Sequence, residues 1–134
     1  MDNRIKQQLS HRQQKQQQQR QRLSKAFKPL SDCFFPYSLF YKISKSGQVY
    51  SLHTKRLVKP EVNAKGYLKV SLFAGSRKKY MLHRLVLQTF SPITDLSFEV
   101  NHKNYIRHDC RFSNLEWMTH LDNIRHSRWR KRKT

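Results

Sequence analysis

Acidic residues are the main shortage in this chain: 8 Asp and Glu stand against 28 Lys and Arg, a formal charge of +20 over 134 residues. A surface that basic repels itself until a polyanion neutralises it. Nucleic acid is therefore the first candidate partner and an anionic membrane the second. Long apolar runs are also missing. The most apolar stretch, Cys33 to Ile43, is broken by Pro36 and Ser38, and a bilayer span needs about 20 apolar residues. The N-terminal segment is polar and Gln-rich, with no apolar stretch of the kind a secretory signal carries. These absences argue against a membrane partner and predict a cytoplasmic protein. Cysteine is scarce too. Cys33 and Cys110 make neither a disulfide framework nor a CxxC zinc knuckle, and both read as reduced thiols. The length allows one modest domain with tails.

Three stretches differ in composition. Residues 1–30 form a basic, Gln-rich tail, and its run from Gln13 to Arg22 has no apolar residue. Gln, Lys and Arg favour helix, but such a helix has no face to bury. A flexible tail and an arm that adds phosphate contacts are compatible readings. Residues 31–80 read as a β-rich module. Phe40–Ser44 and Val49–Leu52 flank a turn at Lys45–Gln48 and predict a hairpin. Tyr67–Phe73 alternates with period two and pairs with Lys78–His83 across the turn at Ala74–Arg77. That alternation sets Leu68, Val70 and Leu72 on the packed face, with Lys69 and Ser71 opposite.

The last stretch, 81–134, predicts a short buried helix at Leu85–Phe90, then strand, long loop, strand and helix. Phe98–Val100 leads into Asn101 and His102, and Leu115–Met118 is the partner strand. Thr119 caps a helix reaching about Arg130. Leu121, Ile124 and Trp129 are its expected packing residues, and Trp117 its neighbour in the core. This ββα unit holds Asn101, His102, His108, Asp109, Asn114, His120, Asp122, Asn123 and His126. Phosphodiester cleavage needs a base for the attacking water, a divalent cation for the growing charge, and a group that orients the base. Histidine suits the first role and Asp or Asn oxygens suit Mg²⁺. Any single histidine is more often structural, so composition alone names no catalytic residue.

The order of motifs says more. Leu82–Phe90 with its His-Arg pair, Val100-Asn101-His102-Lys103, Ser113–Trp117 and Asp122–His126 together resemble the HNH endonucleases of the homing type, many of them phage-encoded. Tyr41–Ser44, Gly47–Leu52 and Gly66–Val70 resemble the DNA-binding module that often precedes that nuclease. The likeness spans roughly residues 38–128. It implies an α+β fold in which an antiparallel β-hairpin module is followed by a ββα-metal motif.

By this resemblance His102 is the general base, and Asn101 and Asn123 are the metal ligands. Asn114 braces the loop and the base-bearing strand, and His126 touches the scissile phosphate. His83 takes a structural or phosphate-contact role. Asn101 stands where the family often has Asp, and Asn104-Tyr105-Ile106 replaces a Gly-containing turn.

The implied cofactor is Mg²⁺ or Mn²⁺, with no small-molecule cofactor. The implied partner is double-stranded DNA, met by a monomer. Lys69, Lys78, His83, Arg84, Arg125, Arg128 and Arg130 are the candidate DNA contacts. The leading expectation is a nicking or cutting DNA endonuclease. The alternatives are an HNH-fold DNA-binding protein with weak or no catalysis and a basic packaging or RNA-binding protein.

Overall fold

The structure, a computed structural model, describes residues 11–16 and 26–133, with side chains as far as Trp129. Most of the expected tail lies outside these residues. Residues 11–16, here α1, are helical and exposed.

The module is two antiparallel sheets. The first has the order β1 (Phe27–Pro29), β2 (Tyr41–Ser44), β3 (Val49–Ser51) and β4 (Arg56–Leu57). The second has the order β5 (Glu61–Val62), β6 (Leu68–Phe73) and β7 (Arg77–Met81). Both predicted hairpins form. The first turns on Gly47 at φ 87, a left-handed conformation that glycine takes without steric cost. Along β6, Val70 and Leu72 are buried while Lys69 and Ser71 are only half-buried, as the alternation requires.

Three boundaries are corrected. Phe27, Lys28 and Pro29 pair with Ser44, Ile43 and Lys42, so the sheet begins inside the stretch read as tail. The strand from Lys78 stops at Met81, and helix α2 runs from Leu82 to Phe90 instead of from Leu85. Leu82, Leu85 and Val86 lie at i, i+3 and i+4, so they share one helical face, and all three are buried. His83 thereby moves from a strand to a helix. Ser91 closes the helix with its N–H on the Leu87 carbonyl at 2.8 Å, and Pro92 follows.

The ββα unit forms with β8 (Glu99–His102), β9 (Leu115–Met118) and α3 (His120–Lys133). Thr119 Oγ1 accepts the Asp122 N–H at 3.2 Å, the predicted cap. The helix runs past the expected end at Arg130, because nothing in its Lys- and Arg-rich last turns breaks a helix. Its expected packing is corrected as well. Leu121 and Trp129 are 58% and 51% exposed, and only Ile124 is half-buried.

One core joins module and ββα unit. Tyr41, Ile43 and Val49 from the first sheet and Val70 and Leu72 from the second converge on Leu82, Leu85 and Val86 of α2, with Cys110 and Leu115 completing the cluster. The two parts also meet at a turn. The Phe112 N–H donates to the Lys45 carbonyl at 2.8 Å. A Cβ on Gly47 would lie 3.0 Å from the Cys110 carbonyl oxygen. Both cysteines are free thiols, and burial pushes that of Cys110 up to about 12.

Candidate active site

Asn101 and His102 are the last two residues of β8. Successive strand residues face opposite ways, so the two side chains serve different surroundings. Each is only 5% exposed.

On one side, the His102 ring meets His83 of α2 edge-on, with centroids 5.1 Å apart, and Tyr67 at 5.8 Å. Tyr67 also packs edge-on against His83 at 5.6 Å and carries the Arg107 guanidinium 5.1 Å above its ring. His83 Nδ1 and His102 Nε2 are buried with no hydrogen-bond partner among the described residues. Burial, with the nearby His102 and Arg84, lowers the His83 pKa to about 3. Burial also lowers that of His102, aided by Arg107 and opposed by Asp109. Both imidazoles are therefore neutral near pH 7.

On the other side stands a row of amides and carboxylates. Asn101 pairs with Glu116 across the hairpin, and its Nδ2 donates to Glu116 Oε1 at 2.9 Å. Glu99, two residues earlier on the same face of β8, accepts a 2.8 Å bond from Asn123 Nδ2 and pairs with His120 Nδ1 at 2.6 Å. These two partners, Asn123 first, hold the Glu99 carboxyl below its usual range. Glu99 and Glu116 thus connect Asn101 and Asn123, which lie 22 residues apart in sequence, to one side of the hairpin.

The loop between β8 and β9 is held from within. Asn114, 6% exposed, donates through Nδ2 to the Asp109 carbonyl at 2.9 Å. Its Oδ1 accepts the Asn104 N–H at 3.0 Å, and its carbonyl accepts the Lys103 N–H at 2.8 Å. Asp109 is gripped by Arg111 at 2.8 and 2.9 Å and by Asn104 Nδ2 at 2.8 Å. The Arg111 bonds hold its carboxyl far below the usual range. Tyr105 takes φ 63 within the turn whose residues depart from the Gly-containing pattern. Its ring stacks on His126 at 4.2 Å, and its hydroxyl donates to the His126 carbonyl at 3.3 Å.

His126 is thus stacked against the turn that follows His102. His83 and Arg84, expected at DNA, are engaged within the protein. His83 faces His102, and Arg84 donates to the Phe98 carbonyl at 3.4 Å and lies over Trp117 at 5.7 Å. Lys78, Arg125 and Arg128 are exposed, whereas Lys69 is half-buried. Arg130 belongs to α3, and its side chain lies outside those described.

Residues 80–125 match the family described as HNH endonuclease, a span from the end of β7 into α3. The ββα unit resembles an HNH endonuclease domain. The solved structure "DNA binding and cleavage by the HNH homing endonuclease I-HmuI" superposes with a TM-score of 0.70 at 27% identity, over 78% of this chain and 59% of that one. In sequence, the DNA endonuclease I-HmuI of Bacillus phage SP01 is 30% identical over 66% of this chain and 51% of its own length. The H-N-H endonuclease F-TflII of Escherichia phage T5 is 32% identical over 61% of this chain and 44% of its own length. The chain therefore spans about half the length of these curated relatives.

Glu99 and Glu116 of this ββα unit carry contacts that no sequence pattern marks. Only the β8–β9 register sets Glu116 opposite Asn101. Among the described residues no three His, Cys, Asp or Glu side chains gather as a metal site. Asn101 and Asn123, the expected ligands, turn their amide nitrogens to carboxylates, which leaves their Oδ1 atoms as the oxygens they can offer a cation. Hard divalent ions take amide oxygens together with water, so this donor set fits one.

Proposed function

We propose that the chain is a metal-dependent endonuclease of the homing type, hydrolysing phosphodiester bonds of double-stranded DNA. One observation carries the reading. His102 is a neutral imidazole whose buried ring nitrogen has no partner among the described residues, at the end of the strand that also holds Asn101. A neutral nitrogen free of protein partners is what a general base needs to take a proton from water. Apo geometry need not show that water in place.

Asn114 does not act on substrate in this scheme. Its three bonds fix the loop and, through Lys103, the end of the strand bearing the base. His126, stacked on Tyr105 one helical turn after Asn123, faces the scissile phosphate. Asn101 and Asn123 would hold the divalent ion, Mg²⁺ or Mn²⁺, through their Oδ1 atoms. Such an ion stabilises charge growing on the phosphoryl and leaving oxygens. Exposed Lys78, Arg125 and Arg128 supply phosphate contacts.

The test is plasmid cleavage under a metal titration, run beside His102→Ala. Cleavage that needs the metal and disappears in the variant supports the proposal. A protein that retards DNA in a gel yet leaves supercoiled plasmid intact in both Mg²⁺ and Mn²⁺ would establish the binding-only alternative.

A further inference from the structure

The two asparagines in the ligand positions bring no charge, yet each is bonded to a glutamate. Asn101 donates to Glu116 at 2.9 Å and Asn123 donates to Glu99 at 2.8 Å. An ionised carboxylate only accepts hydrogen bonds, so it can face only the NH₂ end of an amide. The same bond turns Oδ1 away from the carboxylate. A free asparagine flips between its oxygen and nitrogen ends; one bonded to a carboxylate has a single favourable orientation. The bond also polarises the amide, which makes its oxygen a better donor to a cation.

We propose that Glu116 and Glu99 are positioning residues that hold Asn101 and Asn123 with their oxygens presented to the divalent ion. They also supply, one hydrogen bond behind the ligands, the negative charge that the ligands lack. This rests on the reading of the two asparagines as metal ligands. It accounts for a domain with a neutral residue at 101: the carboxylate sits across the hairpin at 116 instead.

The proposal makes a prediction of different size in two backgrounds. With Asn at 101, Glu116→Gln removes the charge and frees the amide to flip, so metal affinity falls. With Asp at 101 the ligand carries its own charge and has no amide to orient, so the same substitution costs less affinity. A glutamate needed only for folding would weaken binding equally in both backgrounds.

The experiment is a Mn²⁺ titration of the full chain without DNA, following free Mn²⁺ by electron paramagnetic resonance. Circular dichroism confirms that each variant is folded. The variants are N101A, N123A, E116Q, E99Q, N101D and N101D/E116Q. We expect E116Q and E99Q each to weaken binding by about 10-fold or more, as loss of a ligand-orienting partner does. We expect the loss on E116Q to be smaller in the N101D background than in the wild type. Wild-type affinity in E116Q and E99Q, with N101A and N123A weakened, would overturn the positioning role and leave the ligand assignment standing. An equal loss on E116Q in both backgrounds would overturn it as well. Wild-type affinity in N101A and N123A would remove the ligand assignment itself, and this proposal with it. Because E99Q acts on the other pair, misfolding of E116Q alone would leave the test intact.

Discussion

His83 and His102 face each other edge-on, 5.1 Å between ring centroids, each with a buried nitrogen that no described residue satisfies. The pair joins α2 to the end of β8, so the ring beside His102 belongs to the helix at the centre of the core. A buried imidazole without a partner strongly disfavours its charged form, which is why both pKa values fall.

That pairing predicts loss of stability in mild acid. In the unfolded chain both histidines titrate near 6.5, whereas folded His83 stays neutral down to about 3. Below pH 6.5 the unfolded state therefore binds more protons, and stability falls as pH falls. Above 6.5 the contribution is complete. Each depressed histidine adds a slope of at most about 1.4 kcal/mol per pH unit. Urea unfolding of metal-free protein between pH 6.5 and 5 should show the decline, and His83→Phe should flatten it. An unchanged slope in the variant would mean that His83 is not held neutral.

Asn114→Ala should destabilise the domain by about 1–3 kcal/mol, because it strands the Asp109 carbonyl and the Asn104 N–H. Cleavage should fall together with stability, and amide exchange should speed up across residues 103–110. A fully stable variant with an unprotected loop would show that the loop is braced elsewhere.

His102→Ala should abolish cleavage while leaving DNA affinity within about twofold, since an uncharged side chain adds little to phosphate binding. Fluorescence anisotropy with a labelled duplex measures the affinity directly. A large loss of affinity would point to a binding role for His102 rather than a chemical one.

Two N-terminal deletions should behave differently. Residues 1–25 hold seven Lys and Arg against one Asp. Removing them should weaken DNA binding and flatten its salt dependence, with Tm unchanged. Removal through residue 30 also strips β1 and Leu30, which is 2% exposed. Burial of a leucine contributes about 1.5–3 kcal/mol, so Tm should fall in that variant. Equal Tm values for the two deletions would show that β1 is dispensable.

Much of this molecule can be read along the chain because its signals are local. The alternation from Leu68 to Phe73, the turn at Gly47 and the cap at Thr119 each depend on a few neighbouring residues, and the structure contains all three. The spacing of Asn101-His102, Asn114 and Asn123 carries the family likeness in the same way. Signals that depend on partners are harder to read. Leu121 and Trp129 have apolar side chains at near-helical spacing, yet both remain more than half exposed among the described residues. Arg84 has the charge of a DNA contact and lies over Trp117.

The sequence by itself determined the charge, the hairpins, the ββα order and the identity of the chemical groups, all of which follow from composition and short-range periodicity. Tertiary structure alone decided that His83 lies against His102 and that Glu116 and Glu99 hold the amides of Asn101 and Asn123. Those pairs depend on strand register and on how α2 and α3 pack, and both are set by the whole core rather than by any local pattern of residues.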